Sequence, residues 1–144
     1  RQNVANMFIV DYLMMNADRH LKNFGIIRNV NNLVWERTTP IFDTGQSMEC
    51  DKYINEINFS NGFGKFFTNA NKNYEDMLKT LGNSIVNVNL HKLVGLCEEY
   101  RNLLEEYKDK MDISDKRIEK LVSGLKERIE KLQTYIENIK QKSI

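Results

Sequence analysis

The chain has 144 residues, of which 41% are hydrophobic and 28% are charged, with a formal net charge of +1. This composition indicates a folded domain with one hydrophobic core and argues against a disordered or collagen-like chain. Because 21 basic residues nearly balance 20 acidic ones, the charge does not suggest binding to nucleic acid or to an anionic membrane. Seven glycines and one proline argue against a barrel or sandwich with many tight turns, so we expect a mainly α fold.

Residues 3–16 carry apolar side chains almost all around a helical wheel, which predicts a helix that is buried on most sides. The chain starts at Arg1 and enters this helix without a capped lead-in. Because a small protein rarely begins with a buried helix, we expect a larger parent protein with further residues upstream.

The cysteines and the longest apolar segment both favour a cytoplasmic protein. Cys50 and Cys97 are too few and too far apart for a disulfide framework or a zinc site, so reduced thiols are expected. The apolar segment 7–15 is interrupted by Asp11 and is shorter than the roughly 20 residues that a bilayer requires. It also lacks a cleavage-site flank, so neither a membrane span nor a signal peptide is predicted.

Two β-rich runs separated by asparagines lie within residues 24–36 and predict a short hairpin. We expect Trp35, in this hairpin, to be a packing residue rather than a platform for adenine. Residues 41–45 then form a short apolar run and a sharp turn for which Gly45 is suited. Residues 46–72 are rich in Asn, Gly, Ser and aromatic residues, which predicts a long ordered loop of a kind that is often functional.

The remainder of the chain is predicted to be helical, over residues 73–81, 90–110 and 114–140. The last helix has apolar residues at alternating spacings of four and three, which makes a narrow stripe of heptads. The stripe either packs along the helix's own domain or contacts a partner helix in a dimer, and Asp112 or Ser114 can cap the helix start. The stripe consists of Ile118, Val122, Leu125, Ile129, Leu132, Ile136 and Ile139.

The clearest chemical signature is the loop after the first helix, which reads Asn16-Ala17-Asp18-Arg19-His20-Leu21-Lys22-Asn23. A loop can turn Asp18 and Asn23 into one cleft, and the hairpin would bring Asp43 back beside them. Carboxylate and amide oxygens suit Mg²⁺, which takes its other ligands from water and phosphate. Phosphoryl transfer also needs an acidic group that orients the attacking hydroxyl and accepts its proton. Asp18 is placed for that role, with Asn23 and Asp43 holding the metal.

Each motif also has a purely structural interpretation. Asp, Arg, His and Asn after a helix can form a cap with a salt bridge, and Asp-Thr-Gly is a common turn composition. Arg19 and Lys22 could neutralise phosphate, but Arg19 could equally pair with a core acid such as Asp11. The motifs favour catalysis because they occur jointly.

The Asp-Arg-His-x-x-Asn loop, followed by a hairpin and an Asp-x-Gly turn, resembles the C-terminal lobe of HipA-type serine/threonine kinases, in particular the bacterial CtkA-like branch. The likeness is specific over residues 7–47 and architectural beyond them. It implies that Asp18 is the catalytic base and that Asn23 and Asp43 bind Mg²⁺. His20 would contact the γ-phosphate of ATP or hold the loop, and Lys22 would help to bind the nucleotide.

This resemblance implies a mainly α, helical kinase-like C-terminal lobe with a short β-hairpin next to the catalytic loop. Within residues 1–144, it assigns a catalytic loop to 16–25, a metal turn to 41–45, an activation-segment-like loop to 46–72 and a helical remainder to 73–144. No strand-rich segment with a phosphate-covering loop and a lysine precedes Asp18, so the N-terminal lobe is expected to be absent from this chain. The chain alone is therefore expected to bind ATP weakly and to be inactive.

The parent protein would transfer the γ-phosphate of ATP to a Ser or Thr hydroxyl of a protein substrate. HipA-type kinases often pair with a DNA-binding antitoxin, so a toxin–antitoxin partner is implied by the resemblance alone. Ser47, Ser60 and Thr68 are candidate self-phosphorylation sites, and Gln46 and Ser47 could line the substrate groove. Two alternatives stay open. One is a helical interaction or dimerisation module with vestigial kinase motifs, and the other is a phosphoinositide-kinase-like lobe, whose loop shares His20 but whose metal motif is Asp-Phe-Gly.

Overall fold

A computed structural model of the chain describes residues 2–67 and 71–142. It is about 56% helical with two small antiparallel sheets, which confirms the mainly α prediction. The helices are α1 (Gln2–Met14), α2 (Tyr74–Thr80), α3 (Leu96–Met111) and α4 (Asp115–Lys142), with 3₁₀ turns at Leu21–Asn23, Gly82–Asn87 and Leu90–Leu93. Among the described residues, no helix is long and apolar enough to cross a membrane.

The strands form two separate antiparallel pairs. β1 (Ile26–Arg28) pairs with β2 (Trp35–Thr38) in the predicted hairpin, with a bulge after Ile27. β3 (Phe63–Gly64) pairs with β4 (Lys72–Asn73). This second pair falls in the segment predicted to be a continuous loop, because strands of two residues have no periodicity that a sequence could display.

Trp35 is 64% exposed, so the prediction that it is a packing residue is wrong for the described part of the chain. The two-stranded hairpin stands out from the helical body, and its apolar side chains remain in contact with solvent. The guanidinium of Arg28 lies 5.3 Å from the centre of the Trp35 ring and covers part of it.

Helix α1 is buried on most sides, as its composition predicts, with only Asn3 and Asn6 exposed among its residues. It packs on α2, α4 and the 3₁₀ turn Gly82–Asn87. These elements enclose one core together with aromatic residues from the loop that precedes β4. Buried side chains of that core include Ile9, Tyr12, Leu13, Ile57, Phe59, Phe66, Tyr74, Met77, Leu78, Leu125, Ile129 and Leu132.

The apolar stripe of α4 packs within its own domain. Six of its seven residues are buried, and Ile139, the last one, is partly buried. Ser114 caps the start of the helix, because its Oγ accepts a hydrogen bond from the amide of Arg117 at 3.3 Å. Asp112 instead ends α3 with a left-handed backbone (φ 51°).

Helix α3 is shorter than predicted because Gly95, in a left-handed conformation (φ 82°), separates it from the preceding 3₁₀ turn. It contains no buried residue and lies along the outside of α4. Arg101 forms a bidentate ion pair with Glu119 of α4, at 2.5 and 3.0 Å.

Cys50 and Cys97 are unpaired thiols, in agreement with the sequence-based prediction. Burial raises the pKa of the Cys97 thiol. It therefore stays protonated at neutral pH, where a thiol is a weak nucleophile.

Candidate active site

The candidate site begins where α1 ends. Met15 adopts a left-handed backbone (φ 51°), and the amide of Asn16 donates a hydrogen bond to the carbonyl of Asp11 at 2.9 Å. This bond satisfies a carbonyl of the last helical turn and directs the chain sharply out of the helix. The loop of residues 16–25, for which we keep the name that the resemblance implies, the catalytic loop, therefore starts from a rigid and buried point.

Three buried polar residues hold the catalytic loop in shape. Arg19 donates from Nε to Asp11 Oδ2 at 2.8 Å and from Nη2 to Asp11 Oδ1 at 2.9 Å. Asn16 donates from Nδ2 to the same Oδ1 at 2.8 Å. All three residues are fully buried. The hypothesis that Arg19 pairs with Asp11 is thus confirmed, and the buried guanidinium stabilises the loop rather than neutralising phosphate.

Arg19 also joins the catalytic loop to the predicted metal turn. Its Nη1 donates to the carbonyl of Asn23 at 2.5 Å and to the carbonyl of Phe42 at 3.0 Å. Two segments that are distant in sequence are therefore bonded to one nitrogen atom. This contact brings the main chain just before Asp43 to the end of the loop that carries Asp18 and Asn23.

The side chain of Asn23 is oriented by a hydrogen bond within the loop. Asn23 is 4% exposed, and its Nδ2 donates to the main-chain carbonyl of Asp18 at 3.1 Å. Because the amide nitrogen is used in this way, Oδ1 is the atom that Asn23 offers to a cation.

Asp18 is partly exposed, with Lys65 at one carboxylate oxygen and His20 near the other. Its Oδ1 accepts a hydrogen bond from Lys65 Nζ at 2.8 Å. Its Oδ2 lies 3.6 Å from His20 Nε2. The side chain of Asp18 is 31% exposed, so a substrate hydroxyl can approach the carboxylate from solvent. His20 therefore borders the candidate base.

Asp43 is exposed and has a left-handed backbone (φ 54°). Asp is one of the few residues that adopt this conformation readily, and such positions are concentrated at functional sites. The left-handed residue of the segment 41–45 is Asp43 and not Gly45. Gly45 has no positive φ, and a Cβ placed there would meet nothing within 4 Å.

Main-chain hydrogen bonds hold the catalytic loop between two other segments. On one side, the amide of Ala17 donates to the carbonyl of Gln46, just after the metal turn, at 2.9 Å. On the other side, the amide of Lys65 donates to the carbonyl of Ala17 at 3.1 Å, and that of Phe67 donates to the carbonyl of Arg19 at 2.7 Å. The segment 65–67 therefore runs beside the loop with a fixed register.

The remaining predicted residues differ in their accessibility. Lys22 is exposed on the 3₁₀ turn Leu21–Asn23. Ser47 is buried, so its predicted roles in a substrate groove and in self-phosphorylation are wrong for this conformation. Ser60 is exposed and donates from Oγ to Glu127 at 3.1 Å. Thr68 lies outside the described residues.

The donor groups of Asn23 and Asp43 fit a hard divalent cation. One amide oxygen and one carboxylate suit Mg²⁺, which keeps several waters and takes phosphate oxygens as further ligands. Within residues 2–67 and 71–142, no group of three or more His, Cys, Asp or Glu side chains is arranged to hold a metal. A site built from Asn23 and Asp43 would therefore depend on the nucleotide to complete its ligands.

Lys65 is the residue of this site that sequence reasoning missed. It contacts Asp18 across 47 residues, and its segment of the predicted loop has no periodicity that could indicate its position. The available signal was local, since Lys65 follows the Gly62-Phe63-Gly64 sequence, in which small residues allow close approach of the backbone.

Comparison of the chain with protein-family models, with curated proteins and with solved structures gave no match.

Proposed function

We propose that this chain is the C-terminal lobe of a HipA-type serine/threonine protein kinase, which transfers the γ-phosphate of ATP to a Ser or Thr hydroxyl. Asp18 acts as the general base, and Asn23 and Asp43 hold Mg²⁺. The resemblance supplies these three roles, and the contacts within the site support them.

The observation that carries the proposal is the placement of Arg19. This one buried guanidinium binds Asp11, the carbonyl of Asn23 and the carbonyl of Phe42. A cap or a simple turn needs no such connection between two loops. A phosphoryl-transfer site does need it, because the base and the metal ligands must be held together around one phosphate.

In the proposed reaction, the substrate hydroxyl oxygen forms a bond to the γ-phosphorus while the bond from that phosphorus to the bridging oxygen of ADP breaks. The hydroxyl proton passes to the carboxylate of Asp18. Lys65 already binds Oδ1, so Oδ2 is the oxygen that accepts the proton. The bound Mg²⁺ would neutralise charge on the phosphates. Asn23 would hold it through Oδ1, since its Nδ2 donates to the carbonyl of Asp18.

The hairpin and the metal turn expose apolar side chains, as expected if a second lobe packs against them. Trp35 is 64% exposed, and Ile41 and Phe42 are each 42% exposed. Large exposed apolar side chains are common at interaction surfaces, and these three fall within residues 35–42. In the proposed kinase, a nucleotide-covering lobe would dock here. By contrast, the buried heptad stripe of α4 lends no support to dimerisation through that stripe.

The proposal is tested by nuclear magnetic resonance with Mn²⁺ and ATP, since Mn²⁺ replaces Mg²⁺ and broadens signals of nearby nuclei. We expect broadening of the amide signals of residues 18–23 and 41–45. Asp43→Asn should abolish this pattern, because Asn tolerates the left-handed backbone but lacks the charge. Asp51→Asn, at another exposed acid, is the matched control and should leave it intact. Broadening elsewhere, or broadening that survives Asp43→Asn, would exclude the proposed metal site.

Transfer itself is measured with the full-length gene product and radiolabelled ATP. Asp18→Asn should reduce phosphoryl transfer by about 10²–10⁴-fold, the usual contribution of a general base. Nucleotide binding should persist, because Asp18 is not one of the metal ligands. Unchanged transfer in Asp18→Asn would contradict the assigned base.

A further inference from the structure

The ion pair between Lys65 and Asp18 joins the candidate base to the segment 65–67, which does not take part in the reaction proposed above. The distance from Nζ to Oδ1 is 2.8 Å, and the side chains are 46% and 31% exposed. An ion pair at such exposure contributes about 0–1 kcal/mol to folding. Its contribution to stability therefore gives little reason for a lysine at this position.

The main chain places Lys65 independently of the ion pair. Its amide donates to the carbonyl of Ala17, and the amide of Phe67 donates to the carbonyl of Arg19. The preceding Gly64 is buried, and a Cβ there would lie 3.1 Å from the carbonyl oxygen of Asn16 and 2.7 Å from the Phe66 ring. The backbone thus approaches the catalytic loop closely, and the ammonium of Lys65 is delivered to the site by the fold.

The position of the ammonium has a geometric consequence for the reacting phosphate. If Asp18 accepts the proton of the attacking hydroxyl at Oδ2, the phosphorus lies directly beyond that hydroxyl, roughly in line with the leaving oxygen. A cation on Oδ1 of the same carboxylate is then a neighbour of the transferred group. An ammonium has three donors, so Lys65 can bind the carboxylate and a phosphate oxygen together.

We propose that Lys65 binds the terminal phosphate of the nucleotide and holds the base carboxylate beside it. This inference rests on the proposed kinase function and adds a phosphate-binding residue to its site. The charge that accumulates on the phosphoryl oxygens during transfer would be stabilised by an ammonium placed before the reaction begins.

The test compares affinities of the 144-residue chain for Mg·ATP, Mg·ADP and AMP, measured from amide chemical shifts. Lys65→Met should weaken Mg·ATP binding about 10-fold, as expected for loss of a charged hydrogen bond. The loss should be smaller for Mg·ADP and absent for AMP. If Lys65 had only a structural role, Lys65→Met would change the affinities for all three ligands by the same factor. That result would overturn the inference.

Two further variants sharpen the comparison. Lys52→Met is the matched control, because the Lys52 side chain is 45% exposed and also pairs with an aspartate, Asp51. It should bind all three ligands as the unmodified chain does. Lys65→Arg keeps the charge and should retain most of the affinity for Mg·ATP. If both Lys65 variants bind Mg·ATP like the unmodified chain, the inference is wrong.

The same titration separates failure of this inference from failure of the kinase proposal. If Asp43→Asn abolishes Mg·ATP binding while Lys65→Met has no effect, the metal site stands and Lys65 has no role in binding phosphate. If the full-length gene product also binds none of the three ligands, both proposals are contradicted. If the loss of affinity in Lys65→Met increases with the number of phosphates in the ligand, the result supports both the kinase proposal and the role of Lys65.

Discussion

The guanidinium carbon of Arg128 lies 3.7 Å from the centre of the Tyr12 ring, and Arg128 Nε donates to the carbonyl of Tyr12 at 2.7 Å. Arg128 is fully buried on α4 and also donates to the carbonyl of Phe59 at 3.3 Å. Tyr12 adjoins Asp11, the residue that holds Arg19. The C-terminal helix is thus bonded to the last turn of α1, from which the catalytic loop departs.

We expect Arg128→Ala to lower the free energy of unfolding by about 3 kcal/mol, because it leaves a cavity and removes the donor to the Phe59 carbonyl and the closer of the two donors to the Tyr12 carbonyl. Arg128→Met fills the space with apolar atoms and should lose less. Urea unfolding monitored by circular dichroism measures both values. Lys126→Ala, at an exposed position of the same helix, serves as the control, and an equal effect there would contradict the assigned role.

Gly124→Ala should destabilise the protein, although this change usually stabilises a helix by about 1 kcal/mol. The reason is the ring of Phe59, which would lie 2.2 Å from a Cβ at position 124. Phe59 is 4% exposed, so its ring cannot move aside, and we expect a loss of about 1–3 kcal/mol. Ser123→Ala, one position earlier and exposed, should give a small gain. Thermal unfolding that ranks Gly124→Ala above the unmodified chain would disprove this packing.

Arg19→Lys should lower stability by about 3 kcal/mol, because a single ammonium cannot replace the bidentate contact with buried Asp11. It should also abolish Mn²⁺-induced broadening near Asp43, since the bond to the carbonyl of Phe42 is lost. The control is Arg37→Lys, which changes an exposed residue of β2. Retention of the broadening pattern in folded Arg19→Lys would show that Arg19 does not position the metal turn.

Stability should decrease as the pH rises above about 10, the usual tyrosine pKa. Burial raises the pKa of Tyr12, Tyr74 and Tyr100 above the ordinary value of 10.0. The unfolded chain loses these protons near pH 10 while the folded chain keeps them. Their stabilising contribution is therefore complete below pH 10 and is lost as the pH rises towards the folded pKa values. Urea unfolding at a series of alkaline pH values measures the slope.

Tyr74→Phe isolates one of these contributions. The Tyr74 hydroxyl is buried and has no hydrogen-bond partner in the part of the chain that the structure describes. Removing it should raise the unfolding free energy at neutral pH by about 1 kcal/mol and reduce the alkaline slope. Tyr53→Phe, at a residue that is 77% exposed, should change neither quantity. An unchanged alkaline slope in Tyr74→Phe would count against this explanation.

Much of the fold could be predicted from local pattern. The helical period identified α1 and α4, and the heptad stripe correctly indicated the buried face of α4. Asparagine-rich turn chemistry identified the hairpin. Within the site, pairing with Asp11 was one of the two expected roles of Arg19, and the structure confirms it.

Other features depended on contacts that no local pattern contains. The strand pair β3–β4 has two residues on each side, and its position depends on main-chain contacts such as that of Lys65 with Ala17. The hydroxyl of Ser47 resembles an accessible site in sequence, but tertiary packing buries it. Trp35 was misjudged because hydrophobicity alone does not reveal that a hairpin lacks a covering layer.

The left-handed backbone of Asp43 limits the substitutions that can probe this position cleanly. An alanine there would lose the carboxylate and also strain the turn by about 1–2 kcal/mol, so a failed reaction could reflect a displaced loop. Glycine would relieve the strain but would increase the conformational freedom of the backbone before Thr44. Of these three substitutions, only Asp43→Asn removes the charge while keeping the backbone conformation of the turn.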